Sequence, residues 1–300
     1  MKKILFLRRD GVYLPEISAY MAYLRKKMPL FEICDSSEIK ENFSESDFDV
    51  IWKFMGFDRQ NHHGRFVVHE YGSLSVGRLP RVKNVIKRVL NSNPSMRVFL
   101  NEAVRQGMGF NGNTDYRLRD MGVSSHFFRK FSNPDPEFDF VYSGSLNRGR
   151  IISLMLDHFK TTMKGSRLLV VGAVPDDIHE MFGKTPNIHF TGRLKYEDVP
   201  DAITQARYGL NIMPDIYPFN IQTSTKVLEY CAARMPVIST NYKWISEFER
   251  EAKGKFFYIE NSFSNLKIDD INKYPFVVPS MEDYEWDKII EKSKVFDFLG

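Results

Sequence analysis

Cysteine is almost missing from this chain: Cys34 and Cys231 are the two in 300 residues. They lie far apart, each in apolar sequence, which excludes a disulfide framework and a zinc-ligand spacing and fits reduced core thiols. Long apolar runs are missing too, since none approaches the ~20 residues that cross a bilayer. The opening segment turns to Arg8 and Arg9 after the four apolar residues Ile4 to Leu7, shorter than the apolar region of an export signal, so the expected location is cytoplasmic. No charge of one sign dominates. Lys and Arg number 42 against 38 Asp and Glu, a net charge of +4, too small for bulk charge to argue for a nucleic-acid partner. Internal repeats and low-complexity tracts are also lacking.

What is present is enough apolar residue, 43%, to build cores in two domains. Short apolar runs at Ile4 to Leu7, Phe31 to Cys34, Phe48 to Lys53, Phe66 to His69 and Val98 to Leu100 alternate with turns and helical pieces such as Leu14 to Lys27. The segment "FSNPDPEF", residues 131 to 138, breaks any regular element with two prolines and marks a linker. Beyond it the alternation restarts at Phe138 to Ser143 and continues to Lys255 to Ile259. The pattern predicts an α/β protein with two doubly wound parallel sheets, one domain over 1–133 and another over 138–300. The tail, with Trp286, Ile289, Ile290 and Val295 spaced for one face, reads as a packing helix.

The stretch "TSTKVLEYCAARMPVIST", residues 223 to 240, carries the chemistry. Ser224 and Thr225 are N-cap residue types, and the amides of a first helical turn with the helix dipole suit a phosphate. Lys226 adds a full charge at an end the dipole makes unfavourable for a cation, which makes sense if an anion binds there. Glu229 could accept hydrogen bonds from a ribose diol or act as a capping-type carboxylate.

Together with "FVYSGSLNRGRIISLMLDHF", "RLLVVGAVPDD" and "NIHFTGRLKYEDVPDAITQARYGLNIMP", this stretch resembles the donor domain of nucleotide-sugar-dependent glycosyltransferases of the GT-B fold, especially the large retaining family. The likeness covers residues 138 to about 245. It implies two Rossmann-like domains facing a cleft, with a nucleotide-diphospho-sugar donor on the second and the acceptor on the first. It also implies no cofactor and no metal. Glu229 corresponds to the second Glu of the family's Glu-x7-Glu motif, the ribose anchor, and Ser224, Thr225 and Lys226 face the diphosphate. The motif's first Glu falls on Ile221. Its Gly falls on Arg234, where a left-handed backbone would cost about 1 kcal/mol unless the helix ends differently.

The turn "SGSLNRGR" offers Gly144 for close backbone approach and Arg148 or Arg150 to grip the diphosphate. Gly192, Arg193 and Leu194 would line the nucleobase, and Gly11 would stand at the mouth of the cleft. At the strand end "VVHEY", His69 resembles the family's residue near the donor sugar. In an inverting enzyme Glu70 or Asp10 would be the general base. His62 and His63 lack a third ligand at metal spacing. Over residues 78 to 90, Arg78, Arg81, Lys83, Lys87 and Arg88 surround apolar residues, and three uses compete: a solvated face, peripheral contact with an anionic membrane such as the inner face of a cell membrane, or attraction of an anionic acceptor. The expected activity is transfer of a sugar to a glycan, lipid-linked or other hydroxyl acceptor, as in surface polysaccharide or glycoconjugate synthesis. The alternatives are a nucleotide-sugar 2-epimerase, a non-catalytic sugar-nucleotide binder, and a DNA-modifying glucosyltransferase, although nucleic acid is not the expected partner.

Overall fold

The structure is a computed structural model that describes residues 2–8, 14–39, 44–62, 64–128, 135–146 and 150–300, with the side chain of residue 150 excepted. The chain divides into two compact units, 1–122 with 285–300, and 123–284.

The first unit begins β1 (Lys2–Leu7), α1 (Pro15–Lys27), β2 (Phe31–Asp35), β3 (Val50–Phe54), β4 (Phe66–Tyr71) and α2 (Pro80–Leu90). It continues with β5 (Met96–Phe99), α3 (Glu102–Met108) and β6 (Asp115–Leu118). Its six strands form one parallel sheet in the order β2-β1-β3-β4-β5-β6. Strands β3 to β5 are almost wholly buried, which is why they read as continuous apolar runs rather than alternating ones.

The second unit alternates β7 (Phe138–Ser143), α4 (Arg150–Thr161), β8 (Leu168–Val171), α5 (Asp176–Phe182), β9 (Ile188–Gly192) and α6 (Val199–Ile203). Then come β10 (Ala206–Asn211), α7 (Thr225–Ala232), β11 (Val237–Thr240), α8 (Lys243–Glu251), β12 (Phe257–Ile259) and α9 (Ile268–Lys273). The strand order is β12-β11-β10-β7-β8-β9, again parallel throughout. The order reverses between β7 and β10, and in open α/β sheets such a reversal opens a ligand crevice at the carboxyl ends of the strands.

The chain's end departs from the sequence reading, which gave residues 138–300 to one domain. The last helix, α10 (Trp286–Ser293), and the turn after it belong to the first unit. Phe296 packs on Tyr20 and Trp52 with ring centroids 5.1 and 5.2 Å apart. Phe298 stacks on Phe66 at 4.1 Å. Gly122 makes room for Trp286, since a Cβ there would stand 2.5 Å from the indole.

Helix α7 ends as the resemblance to a Gly-terminated family helix implied, but with arginine. The amide of Met235 donates to Tyr230 O at 2.9 Å and that of Arg234 to Cys231 O at 3.0 Å, the paired bonds of a Schellman ending. Arg234 takes the left-handed conformation, φ 59°. An Arg234→Gly variant is therefore expected to gain about 1 kcal/mol, measured as a higher urea midpoint at unchanged slope. An unchanged midpoint would mean that the arginine side chain offsets the backbone cost.

Candidate functional site

The residues singled out in the second unit gather at the carboxyl ends of its central strands. Gly144 follows β7 with φ 131° and Gly172 follows β8 with φ 152°. A Cβ on Gly172 would stand 2.2 Å from the carbonyl oxygen of Gly144, so no side chain fits where these two turns meet. Gly144 in turn makes room for Lys226, whose Nζ lies 3.5 Å from the position a Cβ would take. The same ammonium sits 5.3 Å from the centre of the Tyr142 ring.

Lys226 is the second residue of α7 and is buried, as is Glu229 one turn on. The helix is held against β7 by Tyr230, whose hydroxyl accepts the amide of Ser143 at 2.9 Å. Its ring fills the space left by Gly209, where a Cβ would come within 2.5 Å of it. Tyr230 thus fixes the distance between the Gly144 turn and the start of α7, which are the two elements that present backbone and charge to a common point.

Ser224 corrects the sequence reading. It is the N-cap residue, yet its side chain makes no capping bond. Its hydroxyl donates to Asn211 Oδ1 at 2.9 Å, and Asn211 Nδ2 donates to Ser239 Oγ and Tyr242 OH at 2.8 and 3.0 Å. Ser224 is therefore committed to a buried polar network and does not close over the first-turn amides. That network was illegible in sequence, although a lone Asn at the end of an apolar strand was its one signal. Thr225 is half-buried at the first helical position.

Glu229 is not a cap. Its Oε1 accepts the hydroxyl of Tyr196 at 2.9 Å, and the Tyr196 ring rests on Phe127 at 5.5 Å. Burial pushes the carboxyl up to about 7, against the opposing pull of Tyr196 and Lys226. A carboxyl so perturbed by burial, beside a buried cation, marks a candidate functional site. Tyr196 follows the turn of Gly192, which has φ 73°, Arg193, which is exposed, and Leu194, which is half-buried. That turn is thus tied to Glu229 by a side chain. Ile221 ends a short 3-10 turn, Phe219–Ile221, and is half-buried, so it brings no carboxylate to the site.

In the first unit, β4 points His69 and Glu70 to opposite faces, and both are buried. Glu70, a candidate general base in the sequence, is buried and fully partnered rather than open at the strand end. Its oxygens take hydrogen bonds from Trp52 Nε1 at 2.7 Å, Tyr20 OH at 3.3 Å and Arg119, with which it forms a buried ion pair. Glu16 lies 3.8 Å from the same guanidinium. Enclosed this way, the carboxylate ties β3, β4 and α1 to Arg119.

His69 also lies deeper than an open strand end. Its Nε2 meets Asp58 Oδ2 at 3.1 Å, and His62 reaches the same oxygen at 2.9 Å while bonding Glu45 through Nδ1. Lys53 bridges Asp58 and Glu45. Burial holds the His69 imidazole below its ordinary range in spite of Asp58. Burial alone would raise Asp58, but bonds from His69 and His62 hold it far below the usual carboxylate range. Among the described residues no His, Cys, Asp and Glu cluster is arranged to hold a metal ion. Asp10, Gly11, His63, Arg148 and the Arg150 side chain, with much of the linker, lie outside the described residues.

Comparison with known proteins agrees with this geometry. Residues 137–265 match the family model of group 1 glycosyl transferases, the span that contains every site residue of the second unit. No curated protein matches the chain. Among solved structures, HepE of Anabaena in complex with UDP-glucose is 13% identical, covers 100% of this chain and 99% of its own, and superposes with a TM-score of 0.70. Sucrose-phosphate synthase of Thermosynechococcus elongatus is 11% identical over 100% and 99% of the two chains, with a TM-score of 0.70. The UDP-GlcNAc 2-epimerase of Methanocaldococcus jannaschii, in complex with UDP-GlcNAc and UDP, is 12% identical over 97% and 98%, with a lower score of 0.54. The fold is GT-B, two Rossmann-like units with parallel sheets, and residues 137–265 of its second unit are similar to the group 1 glycosyl transferase domain.

Proposed function

We propose that the chain is a glycosyltransferase that binds a nucleoside-diphospho-sugar on its second unit and passes the sugar to a hydroxyl acceptor. The observation that carries the reading is the buried pair Lys226 and Glu229 at the start of α7, opposite the side-chain-free turn of Gly144. The first-turn amides of α7, the helix dipole and Lys226 bind the diphosphate. Glu229, steered by Tyr196, accepts the ribose hydroxyls, and the backbone beyond Gly192 meets the base. As the sugar leaves, negative charge grows on the diphosphate, and preformed donors aimed at that charge stabilise the transition state. Glu70 supplies no base on this reading, and His69 acts by holding Asp58 and the end of β4 in place. UDP-linked donors are the first choice, because structures similar to this chain hold UDP and UDP-glucose. The acceptor is a glycan or a lipid-linked hydroxyl compound, in a pathway of polysaccharide or glycoconjugate synthesis. Neither a metal ion nor a cofactor enters the scheme.

Thermal unfolding with a panel of nucleoside diphosphates and nucleotide sugars tests the donor assignment. A ligand that binds only the folded chain at a hundred times its dissociation constant adds about 2.7 kcal/mol, so a UDP-sugar should raise the melting temperature by several degrees. If no member of the panel raises it, the reading is wrong. Incubating the shifting donor without acceptor then separates transfer from epimerisation, since an epimerase converts the sugar alone.

A further inference from the structure

Helix α2 is amphipathic in the opposite sense to an ordinary surface helix. Its one buried residue is Asn84, 3% exposed, whose Oδ1 accepts the amide of Ser75 at 3.0 Å. Leu79 just before it and Val82, Val85, Ile86, Val89 and Leu90 along it are all exposed, Val89 by 69% and Leu79 by 64%. At about 100° per residue the five within the helix fall in an arc of roughly 140°, centred opposite Asn84. Arg81 and Arg88 follow one border of that arc, and Lys83 and Lys87 follow the other. No Asp or Glu occurs between Glu70 and Glu102, while Arg78, Arg81, Lys83, Lys87 and Arg88 stand within 78 to 90.

We infer that α2 is an interfacial helix that seats the first unit on an anionic lipid bilayer. The aliphatic arc enters the boundary between headgroups and acyl chains, while the flanking Lys and Arg extend sideways to the phosphates. A protein partner fits this surface less well. The centres of protein interfaces favour aromatic residues and exclude lysine, and this arc has no aromatic residue and is bordered by lysine on one side. The polar anchor explains the orientation: with Asn84 bound to the Ser75 amide, rotation of the helix to bury its valines would orphan a buried amide, at a cost of about 1–3 kcal/mol. The inference does not depend on the donor assignment, because its readout contains no nucleotide.

Sedimentation of the full chain with vesicles tests it. The chain should pellet with vesicles of phosphatidylcholine mixed with phosphatidylglycerol, pellet much less with phosphatidylcholine alone, and release as salt rises. Arg81→Gln with Arg88→Gln should weaken partitioning about thirtyfold, the change expected when two cations leave the surface. Val85→Gln with Val89→Gln, at exposed positions that leave folding intact, should abolish it. Absence of pelleting with any vesicle would overturn the inference. So would pelleting unaffected by the valine pair, or concentration-dependent dimerisation that the valine pair removes, which would make the arc a contact between copies.

Discussion

Glu229→Gln is expected to make the unliganded protein more stable while it removes the response to donor. The carboxyl is buried and its pKa is raised from 4.5 to about 7, burial being the largest cause. The folded pKa lies above the unfolded value, so the folded state holds the proton more tightly. The stability that this proton binding contributes is fully present below pH 4.5 and is lost as pH rises through about 7. With 1.36 kcal/mol per pH unit, the loss by pH 8 amounts to about 3 kcal/mol. A glutamine has no proton to lose. It keeps an oxygen for the Tyr196 hydroxyl. The variant should therefore melt near the parent at pH 4.5 and several degrees higher at pH 8. Hydrogen bonds from donor hydroxyls to a carboxylate are worth about 1.5–3 kcal/mol, so the melting shift given by a UDP-sugar should largely disappear. A variant destabilised at pH 8 would mean that Glu229 is ionised and satisfied within the apo protein, which would sink the site's electrostatic account. A stabilised variant with an undiminished ligand response would retain the fold argument but remove Glu229 from the donor.

Arg119→Met should cost about 3–5 kcal/mol, the usual penalty for leaving one partner of a buried ion pair without the other. It strands Glu70, which would keep Trp52 and Tyr20 as donors, and it releases Glu16. The cationic face that Arg119 lays against Tyr20 and Trp286, 5.6 and 5.4 Å from their ring centres, is lost as well. Denaturant unfolding measures the effect. The double variant Arg119→Met with Glu70→Gln should recover part of it, because the uncompensated charge is gone. Were Glu70 a base rather than a structural carboxylate, Glu70→Gln would abolish turnover with the denaturation midpoint unmoved.

The parallel sheets were legible in the sequence because strands covered on both faces must be apolar along their whole length; Ile4 to Leu7 and the β8 run could be nothing else. Strand β6 was not legible. It is an edge strand, Asp115-Tyr-Arg-Leu, with mostly exposed side chains, and only its pairing with β5 makes it a strand. The segment "YEDVPDAITQ" is two pieces, a 3-10 turn at Tyr196–Asp198 and the short α6, whose first turn holds Pro200. At the site, Lys226, Glu229 and Gly144 were legible because charge at a helix start and glycine after a strand have local causes. Tyr196, Asn211 and Arg119 were not, because their partners lie 33, 28 and 49 residues away in sequence. Periodicity showed that the tail and α2 each have an apolar face. What covers that face depends on partners elsewhere in the chain: Tyr20 and Trp52 for the tail, and the Ser75 amide, which turns the face of α2 outward.

The allegiance of the tail bears on synthesis. Domains of a growing chain generally fold in order, the amino-terminal one first. Here the first sheet is made before the second unit, but the aromatic layer over Tyr20 and Trp52 lacks Phe296 until residues 123–284 have been made as well. The second unit, 123–284, has no such wait. The unit that is begun before the other is thus completed after it, and its aromatic surface must be tolerated, or shielded by chaperones, while residues 123–284 are made.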